Sequence, residues 1–158
     1  MLRFALYPSS HGYGHASRIA ALADAFHQIG IYTYICTDRP SHLFKGLSNE
    51  FTTLRNVKLD NGVIHGANLS VEVELTKQSL INLMNSRKHI VEGEIDFLRT
   101  NCIDLVILDI PFILIEACKT IGIPVFGISN FDWLFIYNDL FGSYKQLTPL
   151  LNVIHSLY

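Results

Sequence analysis

The residues best equipped for chemistry lie in one stretch, His11-Gly12-Tyr13-Gly14-His15-Ala16-Ser17-Arg18, which holds two imidazoles, a guanidinium and two glycines. It follows a short apolar run, Arg3 to Tyr7, closed by Pro8, and precedes a helical pattern. The stretch therefore sits at the carboxyl end of a strand and the amino end of a helix, where backbone N–H groups attract anions and open α/β sheets hold ligands. One candidate chemistry is dinucleotide binding, since Gly12-x-Gly14 opens the helix and Asp38 ends the second strand. Two details oppose it: Pro8 to His11 separate the strand from the first glycine, and Ser17 stands where the third glycine belongs. A metal site would need His11 and His15 on one helix face. Gly12 and Gly14 oppose a helix at His11 and no third ligand lies nearby, so no metal is expected.

The elements that must position this loop can be read from periodicity. Ile19, Leu22, Ala23, Phe26 and Ile29 form a core-facing helical stripe, with Gly30 as its stop, and Ile31 to Thr37 is a second strand. Phe51 to Leu59 is a weaker strand, and Asp60 to Ser70 is a loop. Leu80, Met84, Val91, Ile95 and Leu98 predict one long amphipathic helix from about Leu75 to Thr100, weakest at Gly93. Ile103 to Leu108 is a continuous apolar strand that runs into Asp109. Pro111 can open the next helix and Gly122 can end it, and Pro124 to Ser129 is another strand, followed by the loop Asn130-Phe131-Asp132-Trp133. Strands alternating with helices predict an α/β fold, Rossmann-like, with a mostly parallel sheet flanked by helices, its first strand near the middle and its ligand loops on one edge.

Thr148 as N-cap and Pro149 as first helical residue open a last helix, in which Leu147, Leu150, Leu151, Ile154 and Leu157 repeat the helical rhythm up to Tyr158. Residues 101–158 hold half of the eighteen aromatic residues but only Lys119 and Lys145 as bases, which suggests a surface meant to be covered.

Composition narrows the function classes. The chain has 158 residues, 49% hydrophobic and 16% charged, with a formal net charge of −2, which suits one well-cored domain and opposes a nucleic-acid or anionic-membrane surface. The longest apolar stretch, Ile103 to Cys118, is interrupted by Asp104, Asp109, Pro111 and Glu116 and is not a membrane span. No signal peptide is legible at the amino terminus, and a cytoplasmic location is expected. Cys36, Cys102 and Cys118 are far apart in apolar segments and read as reduced core thiols.

The Gly-x-Gly-His-x-x-Arg pattern, together with Asp109 at the end of its strand and the Gly122-Ile123-Pro124 turn, resembles the amino-terminal half of GT-B glycosyltransferases. The relatives in question are the plant-type family 1 sugar transferases and the bacterial N-acetylglucosaminyltransferase of peptidoglycan assembly. Ile128-Ser129-Asn130-Phe131-Asp132-Trp133 and Phe135-Ile136-Tyr137 are also similar to the transferase-like amino-terminal region of arabinokinases. The resemblance runs from Met1 to about Tyr137. It implies two Rossmann-like domains facing each other across a cleft, the first binding the acceptor and the second most of a nucleotide sugar. Residues 1–158 suffice for the first alone, and a cut or a split subunit would account for the final helix. The donor would then be held mainly by a second domain or subunit, the final helix would pack on a partner chain or second copy, and the isolated chain would not turn over. The acceptor is left unspecified and no cofactor is implied.

By that resemblance His15 is a general base that takes the proton of an acceptor hydroxyl, a task suited to imidazole because it titrates near neutrality; the alternative is a histidine that caps or packs at the helix start. Asp109 either holds and polarises that imidazole or caps the helix near Pro111. Arg18 contacts a phosphate or carboxylate of a ligand, or pairs with a neighbour. Ser10, His11, Gly12 and Gly14 are expected to line the substrate together with Asn130. Trp133 either stacks on the acceptor or packs, and Phe131 is expected in the core. The expected function is the acceptor-binding half of an inverting sugar transferase; the alternative is a non-catalytic Rossmann-like module attached to another enzyme such as a sugar kinase.

Overall fold

The computed structural model describes all residues, 1–158. Five strands, β1 (Arg3–Pro8), β2 (Tyr32–Cys36), β3 (Thr52–Arg55), β4 (Leu105–Asp109) and β5 (Val125–Gly127), form one wholly parallel sheet in the order β3-β2-β1-β4-β5. The central strands are buried on both faces, which is why Val106-Ile107-Leu108 reads as unbroken apolar sequence and not as an alternation. The β1–β4 register sets Pro8 opposite Asp109, so the first loop leaves the sheet beside that carboxylate.

Helices cover both faces. One face packs against α1 (Gly14–His27) through Leu6, Ile19, Ala23 and Ile35. The other holds the larger core, built with α2 (Val73–Asn85), α3 (Arg87–Thr100), α4 (Ile113–Ile121), α5 (Trp133–Phe141) and α6 (Thr148–Leu157). Gly122 ends α4 with a φ of 73°, the left-handed stop that its glycine suggested.

Several expectations are revised. The helix predicted over residues 75–100 is two helices, α2 and α3, and the break falls at Ser86, not Gly93. Asn85 and Ser86 are poor helix interior residues, because their side chains compete for backbone groups, and Arg87 is drawn aside by a 2.6 Å ion pair with Glu116 on α4. The α1 stripe stops before Ile29, which lies past the helix end and is exposed. Cys102 sits at an exposed turn with φ 51°, not in the core. Thr148 is the first helical residue of α6 and caps nothing with its side chain. The leucine stripe of α6 already has its cover: Leu147, Leu151, Ile154 and Leu157 are buried within this chain's own larger core, so that stripe is no reason to expect a partner chain or second copy. No helix is long and apolar enough to cross a membrane.

Candidate functional site

The loops after β1, β3, β4 and β5 meet at the carboxyl edge of the sheet. Gly12 has φ 81°, a conformation that a side chain would strain, and this turn brings the chain back to start α1 at Gly14. His15 then lies in the first turn of α1. Its Nδ1 is 3.0 Å from Asp109 Oδ2 but is not aligned for a hydrogen bond, and the nitrogen has no other partner. Asp109 is fully buried, and its backbone carbonyl accepts from Ser9 N at 3.0 Å. It does not cap α4; Phe112 holds that place and no side chain bonds there.

Arg18, one turn along α1, is the cation that pays for burying Asp109. Its Nη1 donates to both carboxylate oxygens at 3.2 and 3.0 Å and to the Ile128 carbonyl at 3.1 Å, and its Nη2 reaches Asn130 Oδ1 at 3.4 Å. One side chain thus ties α1 to the ends of β4 and β5. Of the two readings of Arg18, the structure displays the pairing with neighbours.

Ile110, just past Asp109, holds a φ of 88°, rare for a β-branched residue and a mark of stored strain. Its carbonyl accepts from the hydroxyl of Tyr158 at 2.8 Å, and that hydroxyl oxygen accepts from Trp133 N at 3.3 Å. Tyr158 thereby pins the strained peptide that follows Asp109. Nothing in its sequence context signals this role.

Asp60 was also missed. It is fully buried at the end of the β3 loop, and accepts from Ser10 N and from Trp133 Nε1, each at 2.8 Å. Burial raises its pKa, against the lowering effect of hydrogen bonds from Ser9, Trp133 and Ser10. The available signal was weaker than at Asp109: a carboxylate at the end of the Phe51–Leu59 strand candidate, five residues past the observed β3.

Phe131, expected in the core, is the exposed one, and of the two readings of Trp133 the structure displays packing. Trp133 is 1% exposed, stacked on Tyr137 at 5.7 Å, and so is not a free platform for a ring. Phe131 is 38% exposed and lies edge-on to His15 at 6.1 Å. It separates two clefts. One, about 320 Å³ and mostly apolar, is walled by His11, Val63, His65, Phe131, Trp133 and Ile136, among others. The other, about 510 Å³, runs along β5 and includes Ile110, Asn130 and Tyr158. Neither is walled by His15, whose ring meets Phe131 edge-on; His11 and Trp133 wall the smaller cleft and Asn130 the larger. His11 is half-buried, its pKa lowered by burial and then by His65, whose ring is 5.7 Å away.

Chemically, the edge offers a first-turn imidazole against a buried, arginine-clamped carboxylate, beside an apolar cleft. Of the residues singled out in the sequence, Ser10, His11, Gly12, Gly14, His15, Arg18, Asp109, Asn130 and Trp133 all come to this edge.

No family model matches the sequence. L-arabinokinase of Arabidopsis thaliana is 28% identical over 140 residues, which cover 87% of this chain and 14% of that protein. Among solved structures, apo UGT2 of Phytolacca americana matches 92% of this chain with 34% of its own, at a TM-score of 0.55 and 15% identity. A UGT transferase of Siraitia grosvenorii in complex with UDP matches 81% of this chain with 28% of its own (0.52, 16%), and MurG of Acinetobacter baumannii matches 82% with 35% of its own (0.52, 14%). The chain has the Rossmann-like fold of a GT-B glycosyltransferase domain, and spans about a third of the length of those transferases and a seventh of the arabinokinase.

Proposed function

We propose that this chain is the acceptor-side domain of an inverting GT-B sugar transferase, with His15 as general base and Asp109 as the group that orients it. The observation that carries the reading is the 3.0 Å approach of His15 Nδ1 to Asp109 Oδ2 at the sheet's ligand edge. An acceptor hydroxyl would give its proton to His15 Nε2 while its oxygen bonds to the anomeric carbon. The bond from that carbon to the donor's phosphate oxygen would break, and the nucleoside diphosphate would leave with the electron pair. A single displacement needs no protein nucleophile and inverts the anomeric centre. The misaligned Nδ1 contact is what an unliganded site can show before a substrate tightens it. The apolar cleft beside Phe131 would hold the acceptor, and the nucleotide-sugar donor would be held mainly by a second domain or subunit.

In the complete polypeptide, His15→Ala should lower turnover by roughly two to four orders of magnitude with little change in acceptor affinity. Near-normal turnover would end the assignment. A second reading, a non-catalytic module joined to a sugar kinase, is favoured by one observation, the similarity to L-arabinokinase over 87% of this chain. No sugar transfer by the complete polypeptide, with a kinase domain encoded alongside whose turnover survives His15→Ala, would select it.

A further inference from the structure

Asp60 is a buried carboxylate that takes no part in the proposed transfer. It forms no ion pair, yet three loops converge on it: Ser10 N binds one oxygen, Trp133 Nε1 binds the other, and its own loop leads within two residues to Gly62. Gly62, with φ 60°, lies so close to His11 that an added Cβ would come within 2.6 Å of Nδ1. On its other side the His11 ring meets Trp133 edge-on at 5.4 Å. His11 is therefore wedged between Gly62, two residues along the chain from Asp60, and Trp133, which Asp60 binds.

We infer that Asp60 is a positioning residue of the candidate acceptor site: its two carboxylate oxygens lock the Gly-rich loop to Trp133 and so fix His11 in the wall of the apolar cleft. The inference rests on the transferase reading for what the cleft receives. A carboxylate suits the task because it accepts from two independent donors and donates to neither. An amide of the same shape accepts at one oxygen and turns N–H groups against the second donor. Burial disfavours the charge that makes this possible, and the two donors it receives offset that cost.

The test uses the whole chain in solution and needs no turnover. Trp133 is its single tryptophan, so one indole N–H resonance reports the lock. In Asp60→Asn that proton and the Ser10 amide should exchange with water at least about tenfold faster. The His11 titration midpoint should fall, because the Asp60 charge favours its imidazolium form. Binding of 1-naphthol, used as a small apolar phenol probe, should weaken about fivefold or more by calorimetry. The midpoint falls through loss of the charge alone; a purely structural role would leave naphthol affinity unchanged in the folded variant. If Asp60→Asn folds with unchanged exchange and naphthol affinity, the inference is wrong. Should that variant fail to fold, Trp133→Phe removes one arm of the lock: weaker naphthol binding with faster Ser10 exchange supports the inference, and wild-type values of both overturn it. Normal turnover of His15→Ala would end the transferase reading and leave these outcomes standing.

Discussion

Two buried carboxylates, one on a helix and one at a strand end, each meet an arginine, and they end differently. Glu94, on α3, takes both arms of Arg55 at 2.7 and 2.8 Å and the Tyr7 hydroxyl at 2.8 Å, and the guanidinium lies 3.9 Å over the Phe97 ring. Every strong valence there is filled. Asp109 receives only one nitrogen of Arg18, shared between its oxygens, and an imidazole that is near but not aligned. The two buried side-chain atoms of the molecule without a hydrogen bond, His15 Nδ1 and Tyr137 Oη, both lie on the Asp109 and Asp60 side. A closed polar network specifies a packing; an unfinished one at a loop edge leaves groups free for a substrate.

The comparison breaks most visibly through exchange of the two acids' roles. In the complete polypeptide Asp109→Asn should lower turnover by about two orders of magnitude, no more than His15→Ala, while the protein stays folded. Glu94→Ala should do the reverse: a loss of about 3 kcal/mol in denaturant unfolding, because Arg55 is left without its partner, and turnover per folded molecule within about twofold of wild type. A Glu94 variant that unfolds no earlier, or an Asp109 variant with full activity, would make the two clusters alike.

A smaller effect sharpens the same contrast. The Tyr137 hydroxyl is buried, makes no hydrogen bond, and is stacked between Trp133 and Phe141. Tyr137→Phe should therefore stabilise the chain, by about 1 kcal/mol, since it removes an unpaid desolvation and keeps the ring. In the filled cluster Tyr7→Phe should destabilise, because the Glu94 acceptor would lose a donor. Equal signs for the two substitutions in thermal unfolding would contradict the reading of one region as open.

Much of this was legible before any coordinates. The parallel order with β1 central follows from strands that alternate with helices, and the edge that gathers His15, Asp109 and Asn130 follows from the rule for strand carboxyl ends. What was not legible depends on contacts distant in sequence. Asp60 finds Trp133 across 73 positions, and Glu94 finds Tyr7 across 87. Periodicity cannot tell which of two neighbouring aromatics turns inward, so Phe131 is expected in the core and the reading of Trp133 stays open; only the Asp60 acceptor, absent from their local context, decides for the indole. The α6 stripe looked unpartnered because its cover, the core around α4 and α5, is assembled only in the fold.

The smallest expected effect concerns pH. In the closed cluster, burial pushes the Tyr7 hydroxyl up and the Cys36 thiol up to about 12, so neither titrates between pH 5 and 8. At the open edge His11 does titrate below its ordinary value of 6.5, because burial and the neighbouring His65 oppose its charge. A histidine whose folded pKa is lowered binds fewer protons in the native state than in the unfolded chain. Its contribution to stability is present above about pH 6.5 and is lost as the pH falls through the lowered value. Asp60, whose pKa is raised by burial, works in the opposite sense, as the native carboxylate takes up its proton first. Urea midpoints at pH 7.5 and 5.5 should therefore differ less in His11→Gln than in the wild-type chain, the other six histidines contributing equally to both. An identical difference in the two proteins would show that His11 is as free to charge in the fold as in the unfolded chain, and the wedge between Gly62 and Trp133 would not be the environment it has in solution.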